Sequence, residues 1–114
     1  MVYRLRHDSG EHYISGSWVS ESGEVIVLEA GDVTMTPQSA TRLTITSAVG
    51  GNEQSTIKEM PLDWLVRAPK LGINISITTD RPDSWLATVF PYWEGPVVVQ
   101  GSHRGVGYLE LTGY

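Results

Sequence analysis

Alternation of period two runs through most of this chain. Over residues 72–79, Ile73, Ile75 and Ile77 alternate with Asn74, Ser76 and Thr78, so three β-branched side chains share one face and three small polar ones the other. That pattern predicts a half-buried strand. Less regular alternation over residues 2–7, 12–20, 24–30, 41–47, 64–68, 84–90, 93–101 and 106–113 predicts further strands, about eight or nine in all. Between them stand Asp8-Ser9-Gly10, Glu21-Ser22-Gly23, Gly31-Asp32, Gly50-Gly51-Asn52, Asp80-Arg81-Pro82-Asp83 and residues 102–105. In these, Gly supplies positive φ and Asp or Asn bonds its own backbone, so most connections read as hairpins. No window carries the three-and-four spacing of an amphipathic helix; residues 53–60 could form a short helical turn before Pro61.

Strands at this density, joined by short turns, predict an all-β fold: an antiparallel sandwich or a closed β-barrel wide enough for a small ligand. With no repeat, linker or low-complexity segment, residues 1–114 read as a single domain, large enough to bury one core. Without cysteine, neither a disulfide nor a thiolate zinc site can form. A net charge of −5 and no basic run argue against nucleic acid as a partner. The apolar runs are only a few residues long, too short for a membrane span, and the opening MVYRLRHD has no signal-peptide core. Nothing in the sequence indicates a localisation or a cofactor.

The final segment, YWEGPVVVQGSHRGVGYLELTGY, resembles the C-terminal signature of the lipocalin-like family that includes carotenoid 1,2-hydratase (hydroxyneurosporene synthase) and AttH-type proteins. YRLR at residues 3–6 and MPLDWLVRAPKLGINI at residues 60–75 resemble other strands of that family. The resemblance implies a lipocalin-like antiparallel barrel corresponding to the second of two barrels. It also implies a small hydrophobic ligand, isoprenoid- or polyketide-like, bound here or by a companion N-terminal barrel that this domain supports. Two further readings stand beside it: a hydratase or cyclase acting on an unsaturated lipid-like substrate, and a docking or homodimerisation domain.

Candidate chemistry concentrates in the last hairpin. Tyr92, Glu94, Pro96, Val98 and Gln100 share one face of its first strand, and Tyr108, Glu110, Thr112 and Tyr114 one face of its second; Trp93, Gly95, Val97, Val99, Leu109 and Leu111 lie on the opposite faces. If the acids face a lumen, Glu94 or Glu110 is the candidate catalytic acid, with Tyr92 or Tyr108 orienting the substrate. An apolar pocket raises a carboxyl pKa, and aromatic faces stabilise a developing cation. If Arg4 and Arg6 pair with these glutamates as the first strand meets the last, the acids fix register instead. Trp18, Trp64, Trp93, Tyr92 and Tyr114 are candidate ligand-binding aromatics, although core packing is the usual role of tryptophan in a small barrel. His7 and His12 flank a turn beside Asp8 and Glu11 but lack a nearby third strong ligand, so no metal site is expected.

Overall fold

The computed structural model describes residues 1–49 and 52–114. It is all-β, with two antiparallel sheets enclosing one apolar interior. The first sheet is a meander of β1 (Val2–Arg6), β2 (His12–Val19) and β3 (Val25–Leu28). The second is built on a long hairpin of β4 (Thr34–Val49) and β5 (Asn52–Ala68), followed by β6 (Ile73–Thr78), β8 (Tyr92–Gly101) and β9 (Gly105–Thr112). The short strand β7 (Trp85–Leu86) pairs with the start of β8 along the edge whose far end pairs with β6.

The strands predicted from alternation are present, with changes where long-range pairing outweighs local pattern. The helical turn expected over residues 53–60 is instead part of β5, because Glu53–Met60 pairs residue for residue with Thr41–Ala48. The strands expected at 41–47 and 64–68 are accordingly parts of one hairpin. Its ladder is irregular between Pro37 and Thr41, opposite Met60–Trp64. Pro37 and Pro61 have no N–H to donate, which explains a break there rather than elsewhere. The strand expected over 84–90 shrinks to two residues. The rest of the segment from Asp80 to Pro91 is a loop, which includes the exposed side chains of Val89 and Phe90. The expected turn at Gly50-Gly51 lies outside the described residues.

After β5 a single 3-10 turn, Pro69–Leu71, reverses the chain, and Gly72 ends it at φ 65° with its N–H bonded to the Pro69 carbonyl. Only the left-handed conformation makes that tight stop, and Gly adopts it without steric cost. Ile73 then pairs with Ala68 and Ile75 with Val66, so the isoleucine face predicted from alternation turns inward.

The interior has two halves. One is filled by Met60, Leu62, Trp64, Trp93 and Leu111, with Trp85 and Tyr114 packed against them. The other is aliphatic: Leu28, Val33, Val66, Ala68 and Ile73, with Val2, Ile14 and Trp18 arriving from the first sheet. First and last strands meet through a side chain, as Arg6 Nη2 donates to the carbonyls of Thr112 and Gly113, each at 2.8 Å.

Candidate ligand site

The last hairpin presents its apolar face to the interior. Trp93 is fully buried, Gly95, Val97 and Leu111 are buried, and Val99 and Leu109 are half-buried, whereas Pro96, Val98, Tyr108 and Glu110 are exposed. The geometry therefore sets both acids outside the core. Glu94 and Glu110 are direct cross-strand partners on that outer face. Tyr92, on the same face, donates its hydroxyl to Glu94 Oε2 at 3.2 Å. Its phenol pKa is pushed up, first by partial burial, then by that hydrogen bond, and then by the charges of Glu94 and Glu110. Tyr92, Glu110 and Thr112, with Phe90 and Pro91, border an outer concavity of about 700 Å³. Tyr108, 74 % exposed, stands opposite Pro96.

The ion pairs expected between Arg4 or Arg6 and these glutamates do not form: the salt bridges among the described residues are Arg42–Glu59 and Lys70–Asp32. The arginines do reach the neighbouring strands, but by other chemistry. Arg6 bonds backbone carbonyls and lies 3.7 Å from the ring centroid of Tyr114, and the Arg4 guanidinium stands 5.6 Å from that of Trp64. An arginine can satisfy itself on carbonyl oxygens and aromatic faces as well as on carboxylates, so the count of charges does not decide its partner.

The candidate aromatics divide by position. Trp64 and Trp93 fill the packed half of the interior, each with its indole N–H bonded to a proline carbonyl: Trp64 to Pro61 at 2.6 Å and Trp93 to Pro82 at 2.9 Å. A Cβ at position 95 would lie 2.8 Å from the Trp93 ring and 3.1 Å from Ser84 Cβ, so glycine there lets the 80–91 loop close over Trp93. Tyr114 packs against the same cluster and stacks on Arg6. Trp18 takes a different place, in edge contact with the His103 ring at 5.3 Å.

Trp18 and His103 border a cavity of about 550 Å³ in the aliphatic half of the interior. Most of its walls are aliphatic, with Leu28, Val33, Val66, Ala68, Ile73 and Val97 among them, and the stretch from Arg104 to Leu109, which includes the mostly exposed Tyr108, also borders it. No carboxylate lines it among the described residues. Of the lining residues, Ile73, Ile75, Ile77, Val97, Val99 and Leu109 belong to apolar faces legible from alternation, and Trp18 and Tyr108 are among the predicted site residues; periodicity does not tell which meet neighbours and which border a void. The His103 contact, between a turn and β2, carried no local signal at all.

His7 Nδ1 accepts the Ser9 backbone N–H at 3.2 Å and lies 2.8 Å from Ser9 Oγ. Among the described residues no group of three or more His, Cys, Asp or Glu is arranged to hold a metal ion. Among the described residues no helix is long and apolar enough to cross a membrane.

Neither the curated proteins nor the solved structures offer a match to this chain. The family model described as AttH-like matches residues 1–114, from end to end. The resemblance carried by the last hairpin and the antiparallel strand architecture agree with that match, and the chain belongs to the AttH-like family.

Proposed function

We propose that this domain binds a small hydrophobic molecule, of isoprenoid or polyketide character, in the cavity between the two sheets. One observation carries the reading: a cavity of about 550 Å³ lined mostly by aliphatic side chains, with Trp18, His103 and Arg104 at its border. A cavity of this size and lining suits a compact, largely apolar ligand, because transfer of its surface from water is favourable, while Arg104 at the rim is a charged group that a polar end could meet. The polar groups at the border suit a hydroxyl or carbonyl at one end of such a molecule. Hydratase or cyclase chemistry on the same ligand would need a proton donor beside it. Glu94 and Glu110, the carboxyl candidates for that role, lie on the other face of β8 and β9, which favours binding over carboxyl-driven turnover as the domain's own role.

The test is displacement of the uncharged probe N-phenyl-1-naphthylamine by an isoprenoid alcohol, read by fluorescence. Saturable probe binding that weakens about tenfold in Ala68→Leu or Val97→Phe, which fill the cavity, supports the reading. Probe affinity unchanged in both folded variants removes it.

A second reading rests on the outer face of the first sheet. Tyr3, Leu5, Tyr13, Val19, Val25 and Val27 are between 41 % and 64 % exposed on that face, and Ser15 and Ser17 complete it. The tyrosine rings of Tyr3 and Tyr13 lie 6.3 Å apart there. We propose that a second copy of the chain covers this face. It carries no formal charge, so two copies can meet about a two-fold axis without like-charge repulsion, and contiguous apolar surface of this kind marks association sites. Concentration-dependent dimerisation in sedimentation that Leu5→Glu and Val27→Glu each abolish supports the dimer; a monomer at every concentration overturns it.

A further inference from the structure

We propose that the cleft where β1 meets β9 is an oxyanion site, built to take a phosphate or carboxylate group. It is distinct from the apolar cavity and shares no lining residue with it. The β1–β2 register sets Arg4 opposite Ile14 and Arg6 opposite His12, so Arg4, Arg6 and His12 stand on one face of the ladder. That face opens on a cleft of about 560 Å³, bordered by these three residues and by His7, Asp8 and Thr112. In a chain of net charge −5, two arginines and two histidines thus converge on one opening against a single lining acid.

Arg4 gives the cleft its chemistry. Its Nε is buried and has no hydrogen-bond partner among the described residues, and its guanidinium is held 5.6 Å from the centroid of the Trp64 ring. Burial of Nε against the core and stacking on the indole fix the plane of the guanidinium, and Arg4 lines the cleft in that fixed orientation. Arg6 is fixed as well. Its Nη2 bonds to the carbonyls of Thr112 and Gly113 and its stack on Tyr114 hold its plane beside the opening. His7 adds a donor: its Nδ1 accepts the Ser9 N–H, so in the neutral ring the proton sits on Nε2. A planar or tetrahedral oxyanion would meet the two arginines, whose charge exceeds that of Asp8, through the charge-assisted hydrogen bonds that arginine forms with both ligand types.

The experiment is a titration of the full chain with inorganic phosphate, acetate and dodecanoate in turn, followed by backbone amide NMR. Saturable shifts in β1 and at Thr112–Gly113 are expected, weakened about tenfold by Arg4→Gln, while N-phenyl-1-naphthylamine binding in the apolar cavity stays unchanged. Binding of phosphate or acetate identifies a free small anion; binding of dodecanoate alone identifies the head group of an amphiphile, and both outcomes support the site. His12→Gln, at an exposed position, supplies a second variant should Arg4→Gln fail to fold, with weakened anion binding expected. No saturable shift with any of the three anions, or affinity unchanged in a folded variant, overturns the proposal.

Discussion

Glu94 and Glu110 face each other directly across the β8–β9 ladder, and the salt bridges among the described residues lie elsewhere. Two like charges at cross-strand partner positions repel. Replacing Glu110 by Lys is therefore expected to stabilise the domain by roughly 0.2–1 kcal/mol at low ionic strength, read as a rise in urea midpoint. Added salt should shrink the gain, as it screens exposed charges. A loss of stability would mean that Glu110 contributes an attraction the pairing does not contain.

Tyr92 provides a spectroscopic check on the same face. Partial burial and the Glu94 carboxylate beside its hydroxyl raise its pKa above the ordinary 10.0. The absorbance titration of tyrosinate should contain one late component that disappears in Tyr92→Phe. Because the folded-state pKa is the higher one, the associated stability is fully present below pH 10.0 and is lost as pH rises through the folded value.

Asp32 and Lys70 tie the turn after β3 to the 3-10 turn after β5, with Nζ and Oδ1 2.5 Å apart. Hydrogen bonding to Lys70 lowers the Asp32 pKa from its ordinary 3.8, with the Glu29 backbone N–H adding to the effect; hydrogen bonding to Asp32 raises Lys70 above 10.5. The signs define a window. The Asp32 contribution is present above pH 3.8 and lost as pH falls through its folded value, and the Lys70 contribution is present below pH 10.5 and lost as pH rises through its own. Carboxyl NMR of Asp32 should show a low midpoint that returns to the ordinary range in Lys70→Met.

Trp93 and Gly95 form a packing unit. Trp93→Ala removes a fully buried ring and leaves the Pro82 carbonyl without its indole donor, so a loss of about 3–5 kcal/mol is expected in denaturant unfolding. Gly95→Ala sets a Cβ 2.8 Å from the Trp93 ring and should cost about 1–3 kcal/mol through displacement of the 80–91 loop. Equal stability of wild type and Gly95→Ala would show that the loop does not depend on that close approach.

Local chemistry along the chain determined much of this protein. Alternation at Ile73, Ile75 and Ile77, glycine and aspartate at the turns, and the absence of any three-and-four spacing were enough for an antiparallel all-β domain. The order of residues in the last hairpin was enough to say that Glu94 and Glu110 share a face with Tyr92 and Tyr108. Long-range contacts decided the rest. Residues 53–60 are polar enough to pass for a helical turn, and only their partners in β4 make them a strand. Period two says which side chains lie together but is symmetric about the sheet, so the outward turn of the glutamates depended on Trp93, Val97 and Leu111 finding the interior. Arg4 and Arg6 carry charge that the sequence announces, yet their partners, an indole face, a phenol ring and two carbonyls, exist only where the first strand meets the last. The cavity beside Ala68 and Val97 is a space between sheets, and a space has no residue of its own to be read.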